Sequence, residues 1–572
     1  MSAFSRELSK INPDPSGRRW VFVPYDQLSE RIGPLARTPG RDLGIVLVES
    51  RWKGRRRSYH KQKLALVLAN LRHFALEQAR RGVAVRHVAG EGSFGELLEP
   101  LTRELGPLVC MEPAERELRM DLAPLVTQGL LDVVPHEGWL TTEEDFREGA
   151  GRAPPWRMDA FYRRVRKRTG ILMDGSSPVG GKYSFDAENR ERWDGDPPAA
   201  QEPTFPLDPI KEEVLELVRT SFVAHPGTLR PHHLPATAED AAAMWSWARS
   251  ECLPTFGPFE DAMSTRSRTL FHTRISALLN LHRLLPRDVL EDAVALETPL
   301  AGKEGFIRQV LGWREFVRHL HRTTDGFREL PEGYGAEAEP EGRQPTVDVR
   351  AVVDDGDGEP AAARSPSRSW SGPQGASPSF LGAANPLPEA WWGRPSGMNC
   401  LDEVVEGVWE EAYGHHITRL MVLSNLATLL DVSPRELTDW FWVAYSDAYD
   451  WVVEPNVLGM GTFASGPLMT TKPYVSGTPY IRKMSDYCQA CPLDPERTCP
   501  WSDLYWAFLA RHEDRLDGVR RMSLPLSSLR RRSKEKRGAD ARVFREVSRA
   551  LGRGDRITPE LVIGARNGNE EG

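Results

Sequence analysis

Between residues 18 and 150, short apolar runs alternate with longer stretches in which apolar residues recur at helical spacing. WVFVPYDQL (20–28), LGIVLVES (43–50), VAVRHV (83–88) and PLVCMEP (107–113) have the length and β-branched content of buried strands. KLALVLANLRHFALEQARRG (63–82) carries the helical period and closes on Gly82, a residue suited to a helix C-terminus. The alternation predicts an α/β domain, a parallel Rossmann-like sheet with helices on both faces. No strand leads into GxGxxG or GxxxxGK[ST]. The nearest candidate, GSSPVGGK (175–182), lacks the hydroxyl residue after its lysine, so no phosphate-binding loop is predicted.

Residues 151–207 are rich in Pro, Gly, Arg and Asp and read as an interdomain linker with little regular structure. Beyond them, apolar stripes at helical spacing run over 239–250, 273–285, 304–322, 403–430, 434–451 and 501–511. These predict a large all-α domain over 208–330 and 379–530. Residues 331–378 turn acidic and then Ser/Pro-rich with few apolar positions, which predicts a disordered insertion. Residues 531–572 form a C-terminal extension.

A chain of 572 residues exceeds one core, in keeping with two domains. It contains no apolar run long enough to span a membrane, and its first residues carry no apolar stretch behind their charges, so the expected location is the cytoplasm. A formal net charge of −7 argues against indiscriminate coating of nucleic acid and still allows a local basic face. The seventeen tryptophans read mostly as core packing.

Six cysteines are too few for a disulfide scaffold, and clustered thiols in a reducing compartment more often bind metal. Cys488, Cys491 and Cys499 fall within twelve residues, and Cys400 lies 88 residues before Cys488. Soft thiolates at CxxC spacing suit one metal site. Four cysteines serve zinc as well as iron. A zinc ribbon, however, usually shows two CxxC pairs, whereas three local thiols with one remote suit a cubane cluster better.

The stripe Val405, Val408, Trp409, Ala412, His416, Leu420 predicts one helix with His416 facing inward and His415 about 100° round. Arg419 shares that side. An inward histidine and arginine need a ligand or buried carboxylates, and a satisfied core histidine is the competing reading. Asp447, 28 residues after Arg419, is a candidate carboxylate.

FGPFEDAM and LFHTRISALLNL (within 256–281), GWREFVRHLH (312–321), HHITRLMVLSNLATLL (415–430) and the Trp/Asp segment 438–463 together resemble the flavin-binding half of the photolyase–cryptochrome family. The cysteine set, YDQL (25–28) and residues 161–190 resemble its bacterial iron–sulfur branch, which includes prokaryotic (6-4) photolyases. One departure is the spacer of seven residues between Cys491 and Cys499, shorter than is usual in that branch.

The resemblance implies that Cys400, Cys488, Cys491 and Cys499 bind a [4Fe-4S] cluster. It implies FAD among the C-terminal helices, touched by Ser276, Gln309, Trp313, Arg314, His416, Arg419, Asp447 and Asn456. Trp440 and Trp392 match electron relays. A 6,7-dimethyl-8-ribityllumazine antenna is implied in the N-terminal domain, with Asp26, Gln27 and Glu49 as candidate contacts at strand C-terminal ends. The implied activity is light-driven repair of UV-damaged DNA by a monomer, with His416 as proton donor, His415 beside it, and Arg164, Arg166, Lys167 and Arg168 against phosphates. Two rival readings are a photoreceptor of the same fold and a flavin-free iron–sulfur nucleic-acid-binding module resembling the large subunit of primases.

Overall fold

The computed structural model describes residues 2–335 and 375–568; most of the segment read as a disordered insertion, residues 336–374, lies outside the described residues. Strands Arg19–Phe22 (β1), Leu43–Ser50 (β2), Ala84–Gly90 (β3), Leu108–Met111 (β4) and Leu131–Val134 (β5) form one parallel sheet in the order β3-β2-β1-β4-β5. Val21 of β1 sits level with Ile45 of β2 and Val109 of β4. Ile45, Val46 and Leu47 are completely buried, which is worth about 1.5–3 kcal/mol for each side chain. Four strands fall on the predicted runs. The fifth, LDVV, escapes pattern reading because Asp132 and Val133 are exposed at the sheet edge.

The segment 151–207 is more ordered than its composition predicts. It holds the helix Met158–Thr169, which buries Phe161, Tyr162 and Val165 and stops at Gly170 in the left-handed region. Proline and glycine on either side mask this stripe at the level of composition.

The rest of the described chain is helical. Two stripes expected to be single helices are each broken. The first is Asn399–Glu411, after which Ala412 turns left-handed (φ 51) and a second helical stretch begins at His416, widening to π-type over Thr418–Ser424. The second breaks after Ala444, before a new helix at Asp450–Glu454. Of 273–285, only Ser276–Asn280 is α-helical. The apolar spacing continues across the breaks because the halves bury one face. The C-terminal extension contains the helices Lys534–Arg553 and Pro559–Asn567, which pack beside Trp501–Arg511. Among the described residues no helix is long and apolar enough to cross a membrane.

Candidate functional site

Arg419 and Asp447 form a two-pronged ion pair, Nη1 to Oδ1 and Nη2 to Oδ2, both 3.0 Å. Arg419 also donates through Nε to the Gly414 carbonyl at 2.6 Å and lies over the Tyr445 ring at 4.1 Å. Ser276 donates its hydroxyl to Asp447 Oδ2 at 2.6 Å, and Asn280 caps the Asp447 carbonyl at 2.8 Å. Burial alone would raise the Asp447 carboxyl, but the charge and hydrogen bonds of Arg419, with Ser276, hold it below the usual range. The site therefore presents a fixed, compensated charge pair.

Gln309 and Trp313 sit one turn apart on the widened π-type turn Arg308–Arg314, a feature often found at functional sites. Trp313 donates its indole N–H to Asn456 Oδ1 at 2.8 Å, and Gln309 donates to Glu260 at 3.2 Å. Arg314 leaves this group. Its guanidinium lies over Trp139 of the N-terminal domain at 4.0 Å and donates to the Leu279 carbonyl at 3.2 Å. Burial lowers its pKa to about 10.

The two histidines are reversed relative to their periodicity. Because the helix ends at Glu411, His415 is buried and His416 is the open one, its side chain 43% exposed. His415 stacks on His272 with centroids 4.3 Å apart and planes 11° from parallel. Burial, followed by their imidazole neighbours, pushes both rings well below the ordinary value, so they are neutral. Burial also pulls His416 down, but Asp261 at 3.5 Å and nearby Glu260 outweigh it and raise the pKa above 6.5. His272 and Asp261 were missed in the sequence, where they read as parts of an unbroken motif. The donor atoms of His272, His415 and His416 lie within 4.8 Å of one another. The first two rings are stacked in parallel, whereas two ligands of one ion would radiate from it.

Trp440 is buried and Trp392 partly exposed, and Trp409 stands between them. The Trp440 and Trp409 centroids are 6.0 Å apart, and those of Trp409 and Trp392 are 5.4 Å apart. In the sequence Trp409 is one position of an apolar stripe and carries no other signal.

Cys400, Cys488, Cys491 and Cys499 line one cavity of about 340 Å³ with Thr478, Tyr487 and Trp501, and none is in a disulfide. Among the described residues no three of these thiols lie within 4.8 Å of one another. A single zinc with Zn–S near 2.3 Å would draw its four sulfurs to about 3.8 Å apart. Burial and then the neighbouring thiols push the Cys400 thiol far up, and burial raises Cys499 to about 11. Such a set ionises when a cation compensates it.

A second cavity, of about 770 Å³, opens at the C-terminal end of β2. Glu49, Lys53, Tyr59, Lys63, Leu68 and Trp442 are among its walls. Of the candidate antenna contacts only Glu49 lines it. Asp26 instead accepts from the Ala114 N–H, and Gln27 donates to the Met111 carbonyl. The basic run 164–168 is largely spent on structure. Arg166 is fully buried and donates to the carbonyls of Ile171, Leu172 and Tyr183; Arg164 pairs with Glu148 and Arg168 with Asp145. Lys167 remains exposed.

A family profile described as deoxyribodipyrimidine photo-lyase-related protein matches residues 21–234. The (6-4) photolyase of Agrobacterium fabrum is 32% identical over 536 residues, covering 90% of this chain and 96% of its own. The chain belongs to the photolyase family. The fold agrees. The crystal structure of a bacterial class III photolyase from Agrobacterium tumefaciens superposes with a TM-score of 0.50 at 13% identity, covering 92% of this chain and 94% of that one. A Synechocystis cryptochrome superposes with a TM-score of 0.51 at 12% identity, covering 87% and 93%.

Membership of the photolyase family implies a flavin, and the residues present fit one. Ser276 donates to the compensated charge pair, Gln309 and Trp313 are partly exposed, and the buried Tyr445 hydroxyl beside Arg419 has no protein partner.

Proposed function

We propose that this protein repairs UV-induced pyrimidine dimers in DNA with light, the (6-4) photoproduct in particular. The observation that carries this reading is His416, a part-exposed imidazole 3.5 Å from the Asp261 carboxylate, which raises its pKa, beside the stacked, buried rings of His272 and His415. Repair of a (6-4) lesion moves a hydroxyl group between two bases, and an imidazolium near neutral pKa is suited to donate the proton that this transfer needs.

Ser276, Gln309, Trp313, Arg419, Asp447 and Asn456 would hold FAD, which when reduced and excited supplies the electron that starts bond cleavage. Asp447, fixed by Arg419 and Ser276, keeps a negative charge at a set place, and Trp313 is locked by Asn456 as a rigid wall. Trp440, Trp409 and Trp392 form a relay from the interior to a partly exposed ring.

Damaged bases stack poorly, so flipping them out of the duplex costs little. Their phosphates would meet Arg190, Lys472 and Arg521 rather than the run 164–168. Arg190 lies 3.7 Å from Asp261, and Lys472 has its pKa lowered by burial and then by Arg521 and Arg190, so the cations gather on the His416 side. Four free thiols lining one cavity support a [4Fe-4S] cluster, and the cavity at the end of β2, walled by Glu49, Tyr59, Lys63 and Trp442, is the candidate place for a ribityllumazine antenna. A His416→Asn protein tests the reading. It should keep its flavin and lose (6-4) repair by about 10²–10⁴-fold; repair at the parent rate would remove His416 from the chemistry.

A further inference from the structure

The four thiols come from two segments far apart in the chain, so the site persists only if something holds those segments together. The hairpin of helices Lys534–Arg553 and Pro559–Asn567 touches both. On the Cys400 side, Ile557, between the two helices, donates its N–H to the Ser396 carbonyl at 2.8 Å. Gly397, at φ 82, passes so close that a Cβ there would lie 2.3 Å from the Ile557 carbonyl oxygen. Asp402 closes the same turn by accepting the N–H groups of Ser396 and Gly397 at 2.8 and 3.2 Å. Cys400 follows directly, in the first turn of Asn399–Glu411.

On the Cys499 side, Arg566 spends its whole guanidinium. Nε and Nη2 grip both oxygens of Asp503 at 3.2 and 2.6 Å, Nη2 also donates to the Cys499 carbonyl at 3.2 Å, and Nη1 donates to the Arg497 carbonyl. Asp503 lies in the first turn of Trp501–Arg511, immediately after the cysteine loop. The hairpin that carries these contacts is stiff. Arg542 of its first helix donates to the Ala565 and Arg566 carbonyls of its second at 2.9 and 2.8 Å, and Val543, Phe544, Val547, Leu551, Ile557 and Val562 are buried.

We infer that this hairpin is a clamp that retains the metal group, and that Arg566 is its positioning residue at the Cys499 end. The inference rests on the reading of the four thiols as holders of an iron–sulfur cluster. Loss of Arg566 leaves the Asp503 carboxylate and two loop carbonyls without their donor, so the loop carrying Cys499 gains freedom and its thiol stands less often in ligand position. The Ser276–Asp447–Arg419 group bonds within itself and needs no such support.

Full-length parent, Arg566→Ala, Arg566→Lys and Asp503→Asn proteins are purified without oxygen and then exposed to air and a chelator. Iron, acid-labile sulfide and visible absorbance are followed beside bound flavin and circular dichroism. Arg566→Ala and Asp503→Asn are expected to release iron several-fold faster than the parent while keeping flavin and helical content. Arg566→Lys, which keeps the charge but not the fork, should fall between them and the parent. Arg549→Ala, which removes only a pair with Glu546 inside the first helix, should release at the parent rate. If Arg566→Ala does not fold, Asp503→Asn decides. Release at the parent rate from a folded Asp503→Asn or Arg566→Ala protein overturns the clamp, whereas a parent protein with neither iron nor sulfide overturns the cluster reading beneath it.

Discussion

Trp440 and Trp409 donate their indole N–H groups to the same acceptor, the carbonyl oxygen of Trp391, at 2.8 and 2.9 Å. One backbone atom thus fixes the angle between two rings that meet edge to face. A peptide carbonyl is a poor base, so an indole oxidised in either position keeps its N–H proton. The partly exposed Trp392 is the ring of the three that can give its proton to water.

If electrons pass between Trp392 and Trp440 as proposed, Trp409 is the ring they cross. In a Trp409→Phe protein, light-driven reduction of bound flavin in the presence of a thiol should fall to a small fraction of the parent rate. Flavin content should stay unchanged, as followed by visible absorbance under illumination. An unchanged rate would mean that electrons reach Trp440 by another route.

The proton donor should show in the pH profile. In the proposed repair His416 acts as imidazolium, and its pKa is raised above 6.5 by Asp261 and Glu260 against the effect of burial. Repair should therefore be full at low pH and decline as pH rises through that raised value. The same pairing stabilises the fold fully below 6.5 and is lost as pH rises through the folded-state pKa. Asp261→Asn removes the main group that raises this pKa and should move the decline to lower pH. A profile that does not move would separate Asp261 from the donor.

The basic residues divide into structural and binding groups. Arg166→Ala removes a fully buried side chain and the donor to three part-buried carbonyls, and should lower stability in denaturant unfolding by about 1–3 kcal/mol without changing the salt dependence of DNA binding. Lys472→Ala should do the opposite, leaving stability nearly intact and reducing the salt slope by about one. The reverse outcome would return DNA contact to the helix Met158–Thr169.

The cavity at the end of β2 gives a separate test. Leu68→Trp places an indole in a space walled by Tyr59, Lys63 and Trp442. The purified variant should keep its flavin spectrum and lose any second chromophore. Retention of that chromophore would place the antenna elsewhere.

How far the site was readable from the chain depended on how local its determinants are. Arg419 and Asp447 could be paired from sequence because an inward arginine needs a carboxylate, and the four cysteines because soft ligands cluster. The orientation of His415 and His416 could not be read, since the break at Ala412 leaves the apolar spacing on both sides intact. In the sequence Arg166 reads as one of a basic run set against phosphates, and only its contacts with Ile171, Leu172 and Tyr183 show a buried structural role. Trp409 is indistinguishable from core packing until the rings on either side of it are seen. β5 is too short and too exposed to carry a pattern.

The central claim is tested most directly by illuminating the purified, flavin-reduced protein with an oligonucleotide that carries a single (6-4) photoproduct and following recovery of intact pyrimidines by chromatography. Recovery that requires light and proceeds over many turnovers is the predicted result. No recovery from a protein shown to hold reduced flavin and to bind the damaged strand would contradict the repair function and leave light sensing as the role of this fold.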